Sequence, residues 1–329
     1  MADVPRLRVM YPEWYHGHRK EPPFFEGWYF KLVNVGTKHR YAIIPGIFLS
    51  DDPNRHHAFV QVLDGITGSV VYHRYPAEAF VAARDAFDIQ IGPNRFSGDA
   101  IELDLDAEGQ RISGRVEFIG VRPWPVTLTS PGIMGWYGWV PFMECYHGVL
   151  GLDHALRGQF QIDGQRIDWT GGRGYIEKDW GSAFPEAWVW MQSNHFSAPG
   201  SSLTASVAII PWLGSSFRGM IVGLWHEGRL YRFATYTGAK IEHLEIEDGR
   251  VLWVICDRRY RLEIKATRAR GGLLAGPSKV DMGVRVAETL QGTIQVRLSK
   301  RESNSRPLFE DTGGCAGLEI VGQVERLRS

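Results

Sequence analysis

Short turn signals, repeated along most of the chain, are the feature that most constrains its fold. At several places a dipeptide ending in glycine separates two runs rich in β-branched and aromatic residues: Asp64-Gly65, Asp163-Gly164, Glu227-Gly228 and Asp248-Gly249. Such dipeptides are typical of tight β-hairpins, and a turn signal about every 8–12 residues is typical of a barrel or sandwich. The sequence therefore predicts an all-β fold with few short helices.

Helical patterning is weak by comparison. A helical period is visible only in residues 77–88, where Phe80 and Phe87 belong to a short apolar stripe. No long helix alternates with strands, and neither GxGxxG nor GxxxxGK[ST] occurs, which disfavours a doubly wound nucleotide-binding fold.

The length of 329 residues fits two domains of about 150 residues or one large β domain. Residues 123–156 are rich in proline, glycine and aromatic residues. Proline and glycine break regular elements, yet a plain linker would not be so aromatic. We interpret the segment as a crossover packed between two β units, which predicts an N-terminal domain over 1–155 and a C-terminal domain over 156–329.

Charge and cysteine usage exclude several classes of protein. The chain has 37 basic and 37 acidic residues, and this balance argues against a nucleic-acid partner. Three distant cysteines suit a reducing cytoplasm, where we expect the protein to be located. Residues 1–10 do not resemble a signal peptide, and no apolar run approaches the roughly 20 residues that span a bilayer.

The segment 11–31 places a carboxyl group among aromatic rings. Glu26 lies next to Phe24, Phe25 and Trp28. Desolvation in such a setting raises the pKa of a carboxyl group towards the range of a general acid. The alternatives are a surface glutamate before a strand and a tryptophan that simply closes the end of a barrel.

The segment 131–148 contains Glu144, Tyr146 and His147. On a strand, Glu144 and Tyr146 would share one face and His147 the other, whereas in a helical turn Glu144 and His147 would share a face. Histidine is well suited to proton transfer near pH 7. The alternative is a core histidine bonded to a backbone carbonyl.

The segment 171–196 has the highest density of reactive groups. It first presents Glu177, Lys178 and Asp179 next to Trp180, and then a set at spacing two: Trp188, Trp190, Gln192 and Asn194. A strand would project this second set onto one face, and two indoles with two amides resemble a pocket wall more than a filled core. The alternative is an ion-paired turn followed by structural tryptophans.

A metal site is not expected. Only His16/His18 and His56/His57 cluster among the histidines, and neither pair has a third ligand at convincing spacing. No GxSxG nucleophile motif occurs.

Four blocks resemble the tocopherol cyclase family in the same order. They are FFEGWYFK (24–31), PFMECYHG (141–148), GYIEKDWGSAFPEAWVWMQSNHF (174–196) and the late segment 287–298. The resemblance implies two lipocalin-like (calycin-type) β units packed together and a relation to carotenoid 1,2-hydratases. Plant members carry Asn where this chain has Asp179, which puts a universal acid role of Asp179 in doubt.

The resemblance implies closure of a chromanol ring, in which a phenol adds across a prenyl double bond. This chemistry needs a protonated acid, aromatic faces that stabilise a carbocation, exclusion of water and a proton acceptor, but no cofactor. The acid candidates are Asp179 first, then Glu177, Glu144 and Glu26, and His147 or Tyr146 would take the phenol proton. The candidates for substrate contact are Glu26, Trp28, Tyr146, Lys178, Trp180, Trp188, Trp190, Gln192 and Asn194.

Three alternatives stay open at this point: a hydratase or other cyclase acting on an isoprenoid, a non-catalytic carrier of an apolar ligand, and a structural protein with an aromatic core. The expected partner is a small prenylated substrate, collected by peripheral contact with a membrane. The oligomeric state is left open.

Overall fold

The computed structural model describes residues 5–107, 109–301 and 306–328. It is almost entirely antiparallel β-sheet, so the all-β prediction is confirmed. Short helical turns lie at Pro5–Met10, Gly17–Arg19, Pro53–Arg55, Ala77–Ala79, Gly135–Trp139, Thr235–Thr237 and Glu325–Arg328. No helix in the described ranges is long and apolar enough to cross a membrane.

The chain forms two compact units. Unit 1 comprises the residues up to Gly65, Ser69–Phe184 and Leu274–Arg285, and unit 2 comprises Ile66–Gly68, Pro185–Leu273 and the residues from Val286 onward. The boundary predicted at 155/156 falls inside a single long strand, Cys145–Ile162, whereas the units change at 184/185.

Unit 1 is built on a curled 12-stranded sheet with the strand order β4-β3-β2-β1-β14-β12-β9-β8-β7-β6-β5, in which β13 pairs with β12. A separate pair, β10 and β11, forms a small second sheet. The strands are β1 (Phe24–Val33), β2 (Arg40–Leu49), β3 (His57–Asp64), β4 (Val70–Tyr75), β5 (Phe80–Ala82), β6 (Asp88–Ile91), β7 (Asn94–Ser97), β8 (Ala100–Ala107), β9 (Gln110–Ile119), β10 (Val126–Thr127), β11 (Ser130–Pro131), β12 (Cys145–Ile162), β13 (Gln165–Asp168) and β14 (Arg173–Gly181).

The third sheet has ten strands. Their order is β18-β17-β16-β15-β24-β23-β21-β20-β19, with β22 paired to β23. Its strands are β15 (Ala187–Ser193), β16 (Ser202–Trp212), β17 (Ser215–His226), β18 (Arg229–Ala234), β19 (Lys240–Glu247), β20 (Arg250–Cys256), β21 (Tyr260–Thr267), β22 (Gly272–Gly276), β23 (Val284–Lys300) and β24 (Phe309–Gly322).

The predicted hairpins are present. Asp163 and Gly164 have φ values of 49° and 82°, and Glu227 and Gly228 have values of 48° and 77°. Two successive positive φ angles define the turn whose twist matches that of antiparallel strands. The glycine of each dipeptide is needed there because it adopts positive φ without steric cost.

Aromatic stacking fills the core of unit 1. Trp28 and Phe30 are buried and point to the same side of β1 because they are two residues apart. The Trp28 ring lies 6.0 Å from Phe87, and Phe30 lies 6.0 Å from Phe96 and 5.8 Å from Phe118. Trp28 is therefore a core residue, as the structural alternative proposed.

The helix suggested by the apolar stripe in 77–88 is wrong. Only Ala77–Ala79 is helical, and the chain continues as the strand β5. Phe80 and Phe87 still point inwards, because each stacks on Trp28. Burial against this indole, rather than helical period, accounts for their spacing.

Unit 2 uses alternation along β15 to separate two environments. Ala187, Val189 and Met191 belong to its hydrophobic core. Trp188, Trp190 and Gln192 occupy the alternate positions and point to the other face of the sheet. The alternation inferred from the sequence is thus present in the structure.

Candidate active site

Strand β14 brings most of the predicted site residues together. It lies between β1 and β12, so that Asp179 is opposite Gly27 on one side and His147 on the other. Side chains alternate between the faces of a strand, which separates Glu177 and Asp179 from Lys178 and Trp180. Two distinct clusters result, one on each face.

The first cluster is an imidazole between two carboxylates. His147 Nδ1 lies 2.9 Å from Asp179 Oδ1, and His147 Nε2 lies 3.6 Å from Glu177 Oε2. The hydroxyl of Tyr175 donates a 2.5 Å hydrogen bond to the same Glu177 oxygen. We call His147, Glu177 and Asp179 the proton cluster.

The charge state of His147 follows from its two neighbours. Burial by itself lowers the pKa of His147, but the charges of Asp179 and Glu177 and the hydrogen bond to Asp179 outweigh burial and raise the pKa to about 9. The ring is therefore an imidazolium at neutral pH, and Nδ1–H donates to Asp179. The second ring proton is on Nε2, which lies 3.6 Å from Glu177 Oε2.

The same three residues are the only described group that could hold a metal ion. One ligand atom from each lies within 4.8 Å of the others. Metal binding would require His147 to be neutral and to release either Asp179 or Glu177. Short histidine spacings do not indicate this site, because His147 lies on β12 whereas Glu177 and Asp179 lie on β14.

The second cluster is a buried ion pair. Lys178 Nζ lies 2.5 Å from Glu26 Oε1, and both side chains are fully buried. The ammonium also donates to the carbonyl of Trp14 at 2.6 Å and lies 3.0 Å from His16 Nδ1. The backbone N–H of His16 donates to Glu26 Oε2 at 2.8 Å. All the charge at this position is compensated locally, and we call the group the lysine cluster.

The pKa expected for Glu26 is wrong in direction. Desolvation does favour the neutral acid, but the charge of Lys178 and the hydrogen bonds from His16 and Lys178 outweigh it and lower the pKa of Glu26. Glu26 is therefore an ionised partner of Lys178 rather than a proton donor.

Three of the predicted aromatic contacts belong to the lysine cluster. Lys178 Nζ lies 4.9 Å from the ring centre of Trp28 and 4.6 Å from that of Trp180. Trp180 also stacks on His16 at 4.4 Å and on Tyr146 at 5.3 Å. The cation that Trp28 and Trp180 contact in the structure is therefore Lys178, and their contact with a substrate cation stays a prediction.

Tyr146 and His147 settle the alternative left open for their segment. They lie on the strand β12 and point to opposite faces, with Tyr146 on Trp180 and His147 on Asp179. Glu144 precedes this strand and forms a 3.0 Å ion pair with Lys279. The helical alternative, in which Glu144 would share a face with His147, is therefore wrong.

The tryptophan and amide set of β15 lies in unit 2. The indole N–H of Trp188 donates to Glu319 at 2.7 Å. Trp190 is opposite Glu319 in the strand register, and both Trp190 and Gln192 are buried. Asn194 follows the strand, is buried, and contacts the ring of His195 at 3.0 Å. Roles for these side chains in substrate contact stay predictions.

Two site residues escaped the sequence reasoning. Tyr175 alternates with Glu177 along β14, which is a signal that could have identified it. His16 was considered only as a metal ligand, and its contacts with Lys178 and Glu26 depend on pairing between distant segments.

The chain is similar in sequence to proteins of one family. A profile described as tocopherol cyclase-like matches residues 115–322, more than half of the chain. The chloroplastic tocopherol cyclase of Zea mays is 27% identical over 201 residues, which cover 57% of this chain and only 41% of that protein. A probable chloroplastic tocopherol cyclase of Oryza sativa subsp. japonica is 24% identical over 98% of this chain and 80% of its own length.

Solved structures show the same fold at low sequence identity. A putative AttH from Nitrosomonas europaea matches with a TM-score of 0.54 and 14% identity, over 91% of this chain and 92% of its own. CghA with Sch210972 matches with a TM-score of 0.57 and 11% identity, over 92% and 89%. Kievitone hydratase from Nectria haematococca matches with a TM-score of 0.51 and 12% identity, over 94% and 93%. These likenesses confirm the lipocalin-like fold.

Proposed function

The chain belongs to the tocopherol cyclase-like family. We propose that it catalyses acid-dependent addition of an O–H group to a prenyl double bond. In the cyclase reaction a phenol of a prenylated hydroquinone adds to its own side chain and closes a chromanol ring. The substrate and the product are isomers, so neither oxidation nor reduction occurs.

The observation that carries the proposal is the proton cluster. His147, Glu177 and Asp179 all lie within the part of the chain that matches the family profile. They unite a cation with an exchangeable proton, a nearly buried carboxylate and a second, partly exposed carboxylate. Proton donors and acceptors at this separation are suited to general acid–base catalysis.

The proton balance of the reaction follows from this arrangement. His147 transfers the Nε2 proton to Glu177 when their 3.6 Å separation shortens to a hydrogen bond. Glu177 then protonates the less substituted alkene carbon, and the phenol oxygen bonds to the tertiary carbon as its own proton leaves. That proton returns to the cluster through His147, so each turnover ends in the starting protonation state. Asp179 holds the imidazole through Nδ1 throughout.

Hydration is the second candidate, and one observation favours it. The Asp179 side chain is 30% exposed, so water can reach the cluster. Water would then replace the phenol as the nucleophile and give a tertiary alcohol. The likeness to a protein named kievitone hydratase supports the same possibility.

One experiment separates the candidates. The purified full chain is incubated with a geranylated hydroquinone in ¹⁸O-labelled water, and the products are resolved by mass. A cyclase gives an unlabelled isomer, a hydratase gives a labelled product heavier by one water, and a carrier returns the substrate unchanged. The last result would contradict the proposed catalysis.

Variants test the assignment within the active protein. We expect Glu177→Gln and His147→Gln each to reduce kcat by about 10²–10⁴-fold, the range that general acid–base groups supply. Glu144→Gln is the matched control, since it removes a carboxylate that contacts Lys279 instead. Full activity in both cluster variants would exclude these residues as the acid.

Access to an apolar substrate suggests a further part of the proposal. A prenylated phenol partitions into lipid, and we propose that the protein collects it by peripheral contact with a membrane. Flotation of the protein with liposomes that contain the substrate checks this contact. A cytoplasmic location stays a prediction of the cysteine usage.

A further inference from the structure

A cavity of about 390 Å³ lies in unit 1 on the side of the lysine cluster. Its lining includes His16, Trp139, Tyr146 and Trp180. Glu177 and Asp179 point to the opposite face of β14 from Trp180, so this cavity and the proton cluster are separate sites. The volume is within the usual range for small-molecule pockets.

The ring of His16, which lines this cavity, has a nitrogen without a hydrogen-bond partner among the described residues. Lys178 Nζ, which can only donate, lies 3.0 Å from His16 Nδ1, so Nδ1 accepts and the proton of the neutral ring is on Nε2. Burial and the charge of Lys178 both lower the pKa of His16, which favours the neutral ring. The side chain is 9% exposed, and Nε2 is buried without a hydrogen-bond partner among the described residues. An N–H group in this state is best satisfied by an oxygen acceptor.

Charge around the cavity favours an anionic acceptor. The basic side chains of Arg8, Arg19 and Lys20 line it, and its described lining includes no acidic residue. Apolar residues, among them Val9, Val140 and Pro141, and the aromatic residues named above form much of the remaining lining. A basic rim over an apolar wall matches a molecule with a charged head and an apolar body.

The geometry points to a second binding site in this cavity for a small amphiphilic oxyanion, a carboxylate or phosphate head on a short apolar chain. The head accepts from His16 Nε2–H and lies near Arg19 and Lys20, while the chain packs on Trp139 and Val140. This site is independent of the proposed catalysis, whose neutral substrate reacts at the proton cluster.

Four probes, three of them with ten-carbon chains, test the site on the full chain. Decanoate and geranyl phosphate carry the two possible heads on ten-carbon chains, geraniol carries neither charge, and inorganic phosphate lacks the chain. Calorimetry gives the affinities, and the ¹⁵N shift of His16 Nε2 locates the bound probe. We expect one anion per chain, at least about tenfold tighter than geraniol, and the tighter of the two anions identifies the head.

Variants connect the affinity to the cavity. The double variant Arg19→Gln/Lys20→Gln should weaken anion binding by about five- to tenfold. The control double variant Lys38→Gln/Arg166→Gln removes the same charge at two exposed positions outside the cavity, and it should change anion binding by less than about twofold. His16→Phe keeps a ring on Trp180 but removes the donor, and it should weaken the anions more than geraniol.

Three results would overturn the proposal: equal affinity for geraniol and geranyl phosphate, an unchanged His16 resonance at saturation, or equal losses in the two charge variants. Failure of this site leaves the proposed catalysis intact, because His147→Gln should lose turnover while retaining anion binding. Loss of turnover in wild-type assays, conversely, does not affect the binding result.

Discussion

The two faces of β14 each hold a basic group against carboxylate, and they differ in how the charge is balanced. On one face His147 contacts both Asp179 and Glu177, so that two carboxylates share one cation. On the other face Lys178 forms an ion pair with Glu26, and both side chains are fully buried. The first arrangement has excess negative charge, and the second is neutral.

On our proposal, the difference separates a proton-transfer site from a buried ion pair. A free imidazole gains or loses its proton near neutral pH. The neighbours of His147 raise its pKa to about 9, a value that a pH titration can still reach. The Lys178 ammonium contacts a carboxylate, a carbonyl and two indole faces; burial lowers the pKa of Lys178, and the charge of Glu26 opposes this shift. Glu177, Lys178 and Asp179 are adjacent in sequence but belong to two different clusters.

The largest expected effect comes from breaking the buried pair. Lys178→Met removes the cation and leaves Glu26 charged in a dry environment, which should lower the free energy of unfolding by about 3–5 kcal/mol. Denaturant titration measures the loss. Lys20→Met is the matched control at an exposed lysine and should change stability by less than about 0.5 kcal/mol. Equal losses would contradict the assigned burial.

The second prediction uses pH to distinguish the faces. The pKa of His147 is raised from 6.5 to about 9, so its stabilising contribution is complete below pH 6.5 and is lost as the pH rises through 9. The stability advantage of wild type over His147→Gln should shrink by roughly 3 kcal/mol between these limits. Unfolding titrations at several pH values check the trend, and an advantage that grew with pH would reverse the sign we assign.

A smaller effect should separate the roles of the two carboxylates. Asp179→Asn keeps an oxygen near His147 Nδ1 but removes the charge, and should lower the pKa of His147 by about 1–2 units. Histidine NMR during a pH titration measures this shift. If catalysis survives in this variant while Glu177→Gln is inactive, Glu177 is the acid and Asp179 positions the ring.

The smallest effect is expected at the carboxylate outside both clusters. Glu144 forms an ion pair with Lys279, whose side chain is 58% exposed. Pairs of this kind contribute about 0–1 kcal/mol. Lys279→Met should therefore change the free energy of unfolding by less than about 1 kcal/mol and leave turnover unchanged. A rate loss comparable to that of Glu177→Gln would return Glu144 to the list of acids.

Local patterns predicted local geometry well. The turn dipeptides identified the hairpins, and the spacing of two along β15 placed Trp188 and Trp190 on one face. The same rule, applied to β14, would have separated Lys178 from its neighbours.

Long-range pairing was the part that the sequence could not supply. The charge that compensates the burial of Glu26 belongs to Lys178, which is 152 residues away in the sequence. The neighbours of Glu26 in the sequence therefore predict its desolvation but not its ion pair. Likewise, His147 meets Asp179 only because β12 and β14 pair in one register. A pKa depends on all nearby charges, and those charges come from strands that composition does not connect.

The return of Leu274–Arg285 to unit 1 bears on how the protein is synthesised. The amide of Gln61, which is 2% exposed, donates to the Ala275 carbonyl at 2.9 Å and accepts from its N–H at 2.7 Å. A nascent chain that has emerged only as far as Phe184 lacks both partners of this amide. Unit 1 can therefore complete its hydrogen bonding only after the ribosome has synthesised much of unit 2 and the segment Leu274–Arg285.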